Sequence, residues 1–277
     1  MQRTTVLLAL VLSTCACAST TTSDAGSQAV VAPATIAALQ AAINAPSRDA
    51  ANRARDGYRH PLQTLQFFGV QPGDSVIEIT PGGGWYSEIL APYLNASGHY
   101  IGAVPAAAAD SKGGLRNKAF LDKLTGNAAT SNATVVELDA KAPALAAGTA
   151  DVVLTFRNVH NWVAAGNADA YFRAFYAALK PGGVLGVVDH RAKPGTDLET
   201  MKSSGYLTEA LVSKYASDAG FVLEAGSTIN ANPKDDANHP KGVWMLPPVN
   251  SHDAADDAKY KAIGESDRMT LRFRKPR

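Results

Sequence analysis

Beyond residue 17 the chain contains no cysteine, because its two thiols are Cys15 and Cys17. That excludes a disulfide framework in the folded body, and with it a thiolate metal site. No apolar run approaches the roughly 20 residues that a helix needs to cross a bilayer. There is also no basic run of the kind that tracks a phosphate backbone. The formal net charge is +1 with both signs scattered, so no nucleic-acid partner is expected. No internal repeat is visible. Apolar material is plentiful: 46% of the 277 residues are hydrophobic, enough for a substantial core.

The N-terminus reads as a bacterial export signal. "MQR" supplies positive charge, "VLLALVL" an apolar core, and "STCACAS" the small residues that a signal peptidase accepts. Two outcomes stay open. Cys15 or Cys17 lies in a lipobox-like setting that would give a lipid anchor, and cleavage after Ala18 would give a free periplasmic protein. Residues 1–18 are thus expected to be a signal and 19–33 a small, polar tether. Residues 34–277 are expected to form a single folded domain.

Within that domain, "TIAALQAAINA" (35–45) reads as an amphipathic helix. The stretch from Ser47 to Val70 reads as a second helical unit, with Ser47 as N-cap and Pro61 as a break. Strand-like runs then alternate with helical patterns. The runs are 75–80, 99–104, 133–138, 151–156 and 184–190, followed by 221–229 and 268–273. This alternation predicts an α/β fold, a Rossmann-like doubly wound, mostly parallel seven-stranded sheet with one antiparallel strand near the C-terminus. "RMTLRF" (268–273) alternates as a partly exposed antiparallel strand would. Residues 230–266 are too long for an ordinary connection and predict either a lid-like functional loop or a mobile insertion.

Directly behind the first strand stands "IEITPGGGWYS" (77–87). A strand, a glycine turn and a helix bring main-chain N–H groups against a ligand at the carboxyl edge of a sheet. Gly82, Gly83 and Gly84 lack a Cβ, so a ligand can lie on the backbone. Thr80, preceding Pro81, is expected to be extended. A dinucleotide enzyme would need Gly-x-Gly-x-x-Gly and an acid about 20 residues on. Ser87 and Val104 occupy those places, which disfavours a nucleotide-dependent oxidoreductase.

The stretch "VIEITPGGGWYSEIL" resembles the first motif of class I S-adenosylmethionine-dependent methyltransferases. The resemblance continues through "VVELDA", "DVVLTFRNVHNW" and "LKPGGVLGVVDH", in the family's order. Together, "RDGYRHP", "FRNVHNW", "VVDHRA" and "SDRMTLRFRKP" look like a subgroup of predicted exported bacterial methyltransferases. By resemblance the cofactor is S-adenosylmethionine. Glu78 would order the loop that grips its methionine part, and Asp139 would contact the adenine amino group. Thr80, Gly82, Gly83, Gly84, Arg157 and Asn158 would complete the cofactor site. One position departs from the family: Val104 stands where an acid usually holds the ribose hydroxyls, unless Asp110 folds back to replace it. Losing that contact costs about 1.5–3 kcal/mol, roughly tenfold or more in affinity.

Methyl transfer to a hydroxyl or thiol needs alignment and a base. At the tip of the fourth strand lie Arg157, Asn158, His160, Asn161 and Trp162; at the tip of the fifth lie Asp189, His190 and Arg191. His160 and His190 are the candidate bases, Asp189 would orient one of them, and Trp162 would wall the site. A metal held by His160, Asp189 and His190 is conceivable, but no ligand spacing singles it out, so none is expected. His99, His239 and His252 read as surface or loop residues. Asp56 and Arg59 either close the cofactor site or form surface ion pairs. The expected acceptor is a small molecule. The competing class is an exported, non-enzymatic binding protein with a degenerate methyltransferase fold.

Overall fold

The strands that the alternation predicts all form. In the computed structural model, which describes Met1 and residues 33–277, they are β1 (Ser75–Ile79), β2 (His99–Pro105), β3 (Ala133–Leu138), β4 (Ala150–Phe156), β5 (Leu179–His190), β6 (Val222–Ser227) and β7 (Arg268–Arg274). Residues 2–32, which hold Cys15, Cys17 and all of the expected tether but Pro33, lie outside the described residues; Pro33 opens the first helix. The spatial order is β3-β2-β1-β4-β5-β7-β6, with β7 antiparallel to both neighbours and the other ladders parallel. The order reverses between β1 and β4, which puts the switch point at Thr80 and Arg157.

Strict side-chain alternation splits the core into two layers. Val76, Tyr100, Val104, Val152, Leu154 and Val188 face one side. There they meet α1 (Pro33–Ile43), α4 (Pro61–Phe68), α5 (Ser87–Leu94) and α6 (Lys112–Thr125), with the single-turn helices α2 (Ala50–Arg53) and α3 (Asp56–Arg59) leading in. Ile77, Ile79, Val153, Leu185, Val187 and Leu271 face the other side, against α7 (Val159–Ala165), α8 (Ala168–Ala178) and α10 (Glu209–Asp218). Helix α9 (Leu198–Ser204) and α11 (Asp257–Ile263) finish the set.

Several local expectations are corrected. Asp49, not Ser47, caps α2, accepting from the backbone N–H groups of Ala51 and Asn52. Strand β7 is interior rather than partly exposed. Its polar positions are long arginines that reach across to the helices, as Arg272 does in donating to the Phe67 carbonyl at 2.6 Å. Residues 230–266 are a packed excursion that covers the strand tips as a lid-like loop would, with Trp244 and Leu246 beside His160 and His190. Asn230 is buried and donates to Thr64 and Thr270, and Tyr206 donates to Asp235 at 2.8 Å. His239 and His252 sit in this excursion with covered side chains, bonded to Asp235 and to the Met245 carbonyl. His99 remains outside, bonded to Asn132 and Thr134.

Helices α1 to α3 are fixed by a buried arginine. Arg48 grips both oxygens of Asp56 at 2.7 and 2.9 Å and also donates to the Ile43 carbonyl at 2.8 Å. Removing one partner of such a pair strands the other charge. Asp56→Ala is therefore expected to lower unfolding free energy by about 3 kcal/mol. Adding Arg48→Met should recover most of that loss, as read from urea unfolding.

Candidate active site at the switch point

At the tip of β1 the chain turns under two constraints. Thr80 donates to the Ala103 carbonyl at 2.7 Å, which extends the β1–β2 ladder by one rung. Its φ is then +52, a left-handed conformation and not the extended one expected before proline. Asn158 holds it there: its side-chain amide donates to the Ile79 carbonyl at 3.0 Å and reaches the Thr80 carbonyl at 3.4 Å. Arg157, at the tip of β4, is also left-handed at φ +63, its N–H donating to the Val188 carbonyl at 2.7 Å. Both strained residues border one hollow of about 250 Å³.

The floor of that hollow is Gly82 and Gly83, where an added Cβ would meet nothing within 4 Å. Gly84 serves the fold instead: its φ is +82, and a Cβ there would press on Phe120 at 3.2 Å. Behind the loop, Glu78 is buried and takes both of its side-chain bonds on Oε2, from Ser87 at 2.8 Å and Tyr100 at 2.7 Å. Burial pushes its carboxyl up to about 7, against the opposing pull of those two hydroxyls and of Arg59.

The N-terminal helices form the roof. Asn52, Arg55 and Arg59 line the hollow with Trp85, Tyr86 and Phe156. Arg59 lies over the Trp85 ring at 4.8 Å, and Tyr86 stacks on Phe156 at 3.6 Å. The two readings of the first helical unit thus divide between its residues: Asp56 forms an ion pair with Arg48, while Arg59 closes the site. Glu265 anchors the roof, accepting from Arg55 at 2.7 Å, Arg59 at 3.1 Å and Arg268 at 3.0 Å. Burial alone would raise its pKa, but Arg59, Arg268, Arg55 and Arg157 hold it at about 2. Burial lowers Arg59 to about 9, with Glu265 opposing and the other guanidinium groups adding to the drop, so it stays charged at neutral pH.

A second hollow, of about 180 Å³, shares Arg157 with the first. Here the two strand-tip clusters meet. His160 Nδ1 lies 2.9 Å from Asp189 Oδ1, and Asp189 also accepts from the His160 and His190 backbone N–H groups at 3.3 and 2.7 Å. The Asp189 carboxyl group, which already accepts two backbone N–H groups, assigns the proton to Nδ1 and leaves His160 Nε2 as a free acceptor. His190 Nδ1 contacts Ser266 Oγ at 2.5 Å. Burial holds the His190 imidazole well below its usual pKa, and His160, Arg157, Arg268 and Arg59 push the same way, so it is neutral.

Other expected site residues lie elsewhere. Trp162 stacks on Tyr171 at 4.2 Å inside the core, and Trp244 takes its place as the aromatic wall. Arg191 is committed to Asp267 and Glu209. Asp139 is exposed and caps the Lys141 N–H; Asp110 is exposed and Val104 is packed in the core. Neither aspartate borders either hollow. Asn52, Trp85, Phe156, Trp244, Glu265 and Ser266 were not foreseen. Ser266 lies within "SDRMTLRFRKP" but was given no role, and Glu265 immediately precedes that stretch.

The residues present fit the amino-acid and sulfonium end of S-adenosylmethionine: bare main chain at Gly82 and Gly83, the Glu78 carboxyl, and a buried, unpartnered Arg55 Nη2. At the ribose position they offer no carboxylate.

No family model matches this sequence, and no curated protein matches it. The fold is shared with solved structures. A SAM-dependent methyltransferase from Aquifex aeolicus is 16% identical with a TM-score of 0.54, covering 80% of this chain and 93% of that one. A structure described as a candidate methyltransferase from Bacillus halodurans C-125 is 17% identical with a TM-score of 0.53, covering 78% and 98%. The [4+2]-cyclase SpnF is 15% identical with a TM-score of 0.54, covering 82% and 81%. The architecture is thus the class I, Rossmann-like methyltransferase fold, as the resemblance implied.

Glu78 sets a pH signature. Its carboxyl rises from 4.5 to about 7 on folding, so across that window the folded protein holds a proton that the unfolded chain has released. Stability therefore falls as pH rises through the window, by about 3 kcal/mol in full. Glu78→Gln removes the titration. It should match the parent at pH 4.5 and exceed it by about 3 kcal/mol at pH 8 in denaturant unfolding. A variant equally stable with the parent at both pH values would contradict the assignment.

Proposed function

We propose that this chain is a methyltransferase that uses S-adenosylmethionine and acts on a small-molecule acceptor. The observation that carries the reading is the open hollow over Gly82 and Gly83 with a buried carboxyl behind it, at the switch point of a fold shared with methyltransferases. Glu78, Thr80, Gly82, Gly83, Asn158 and the roof residues Asn52, Arg55 and Arg59 would hold the cofactor. When bound, it would supply an electrophilic methyl group, the C–S electron pair staying on sulfur. His160 Nε2 would take the proton from the acceptor's hydroxyl or thiol. Asp189 steadies the imidazolium that forms, and the neutral His190 beside it adds no charge that would oppose it.

By the same proposal the protein acts outside the cytoplasm, as a periplasmic or lipid-anchored protein, because its N-terminus has the pattern of an export signal. A second reading, a non-catalytic binder on this fold, is favoured by one observation: Val104 fills the core where a ribose carboxylate would stand.

Calorimetric titration with S-adenosylmethionine and S-adenosylhomocysteine tests the main reading, and the absence of binding at millimolar ligand sinks it. Gly83 has no left-handed φ and open space above it, so Gly83→Val should fold and abolish binding. His160→Ala should keep the affinity and lower turnover about a hundredfold or more.

A further inference from the structure

Arg157 sits in the field of Glu265 and Asp189 but pairs directly with neither. Its Nε is buried without a hydrogen-bond partner, and no carboxylate of the described residues lies within ion-pairing distance of its guanidinium. Nearby, Arg55, Arg59 and Arg268 share the one carboxylate of Glu265. A guanidinium whose buried Nε has no partner is costly, and so is a left-handed φ at a residue with a long side chain. Arg157 bears both costs at the boundary of the two hollows.

The second hollow narrows what could answer it. Arg157, His160, Asn161 and His190 form its polar side, and Trp244, Leu246 and Pro247 are among the apolar residues of the other. A cavity of roughly 150 Å³ holds one benzene, so about 180 Å³ is room for one ring with a small substituent. The glycine-loop hollow, by contrast, has its own guanidinium groups on Arg55 and Arg59. A divalent cation is disfavoured although His160, Asp189 and His190 stand close enough to ligate one. Asp189 already accepts three N–H groups, and Arg157, Arg268 and Arg59 all press positive charge on His190.

We propose that Arg157 receives the carboxylate of a small, ring-sized monoanion seated between it, His160 and Trp244. As a binding site this stands on the geometry alone; as the identity of the methyl acceptor it rests on the function proposed above. A planar carboxylate matches the guanidinium fork, and the apolar side accepts the body of the molecule. An acidic head on Arg157 would orient the rest of the molecule past His160 Nε2.

The test uses the folded protein with benzoate and its neutral counterpart benzamide as probes, alongside S-adenosylhomocysteine, by calorimetry. Benzoate should bind at least tenfold more tightly than benzamide. Arg157→Met should lose that preference, while Arg157→Lys keeps part of it. Without ligand, Arg157→Met should not lower the Tm, because it breaks no hydrogen bond or ion pair of the guanidinium; an arginine that merely supports the fold would lower it. Equal binding of the two probes, no binding of benzoate, or benzoate affinity unmoved by Arg157→Met would each overturn the proposal. A loss of S-adenosylhomocysteine affinity in Arg157→Met with benzoate unaffected would overturn it too, by assigning the anion to the cofactor. If benzoate binds through Arg157 and S-adenosylhomocysteine does not bind at all, the anion site stands and the methyltransferase reading falls.

Discussion

The carboxylate of Glu265 ties the two ends of the folded domain into one site. It accepts from Arg55 and Arg59 before the first strand and from Arg268 at the start of the last. Buried carboxylates ordinarily gain a proton; this one is held ionised near pH 2 because guanidinium groups surround it. Were it absent, those groups would face one another across a space with little water to screen them. The roof over the glycine loop depends on that single negative charge, whereas β7 is held to the tip of β5 by its own ladder.

One carboxylate does not neutralise four guanidinium groups, and the remaining positive charge shapes the chemistry next to it. His190 is kept neutral partly by Arg157, Arg268 and Arg59. The same field opposes a divalent metal at His160, Asp189 and His190, where side-chain identity alone would allow one. It favours a ligand that brings negative charge. The carboxylate of an amino-acid moiety meets that condition at the glycine loop, and an acidic second ligand meets it at Arg157.

How far the sequence reveals this depends on the range of the signal. Strand positions are set by runs of β-branched residues whose alternate side chains must be buried, and all seven runs form strands. The glycine turn, Glu78 and the pairing of Asp189 with His160 were legible because each lies within a few residues of a strand tip. Trp162 was misplaced because a tryptophan beside polar residues can point either way along a helix; its ring found Tyr171 one turn of α8 away. Trp244 was missed because nothing local in residues 230–266 says that this excursion folds back over the strand tips. The conformation of Thr80 was missed for a different reason. The rule for residues before proline describes a free chain, and here the β1–β2 ladder and the Asn158 amide override it.

That strained turn bears on what the fold is used for. A loop that only joined a strand to a helix would gain nothing from a β-branched residue at φ +52, a conformation costing of order 1–3 kcal/mol that glycine adopts freely. The strain at Thr80 directs the loop so that Gly82 and Gly83 stay uncovered, and the matching strain at Arg157 turns its guanidinium toward the boundary of both hollows. Fold alone does not choose among chemistries, since a cyclase shares this architecture as well as methyltransferases. The bare Val104 position weakens any hold on ribose, so affinity for an adenosyl ligand must come mainly from the opposite end. There the loop, Glu78 and the guanidinium groups converge, and through Arg157 that end adjoins the hollow that holds His160. A site that grips its cofactor chiefly by the amino-acid part would place binding energy next to the reacting carbon, where it can serve alignment.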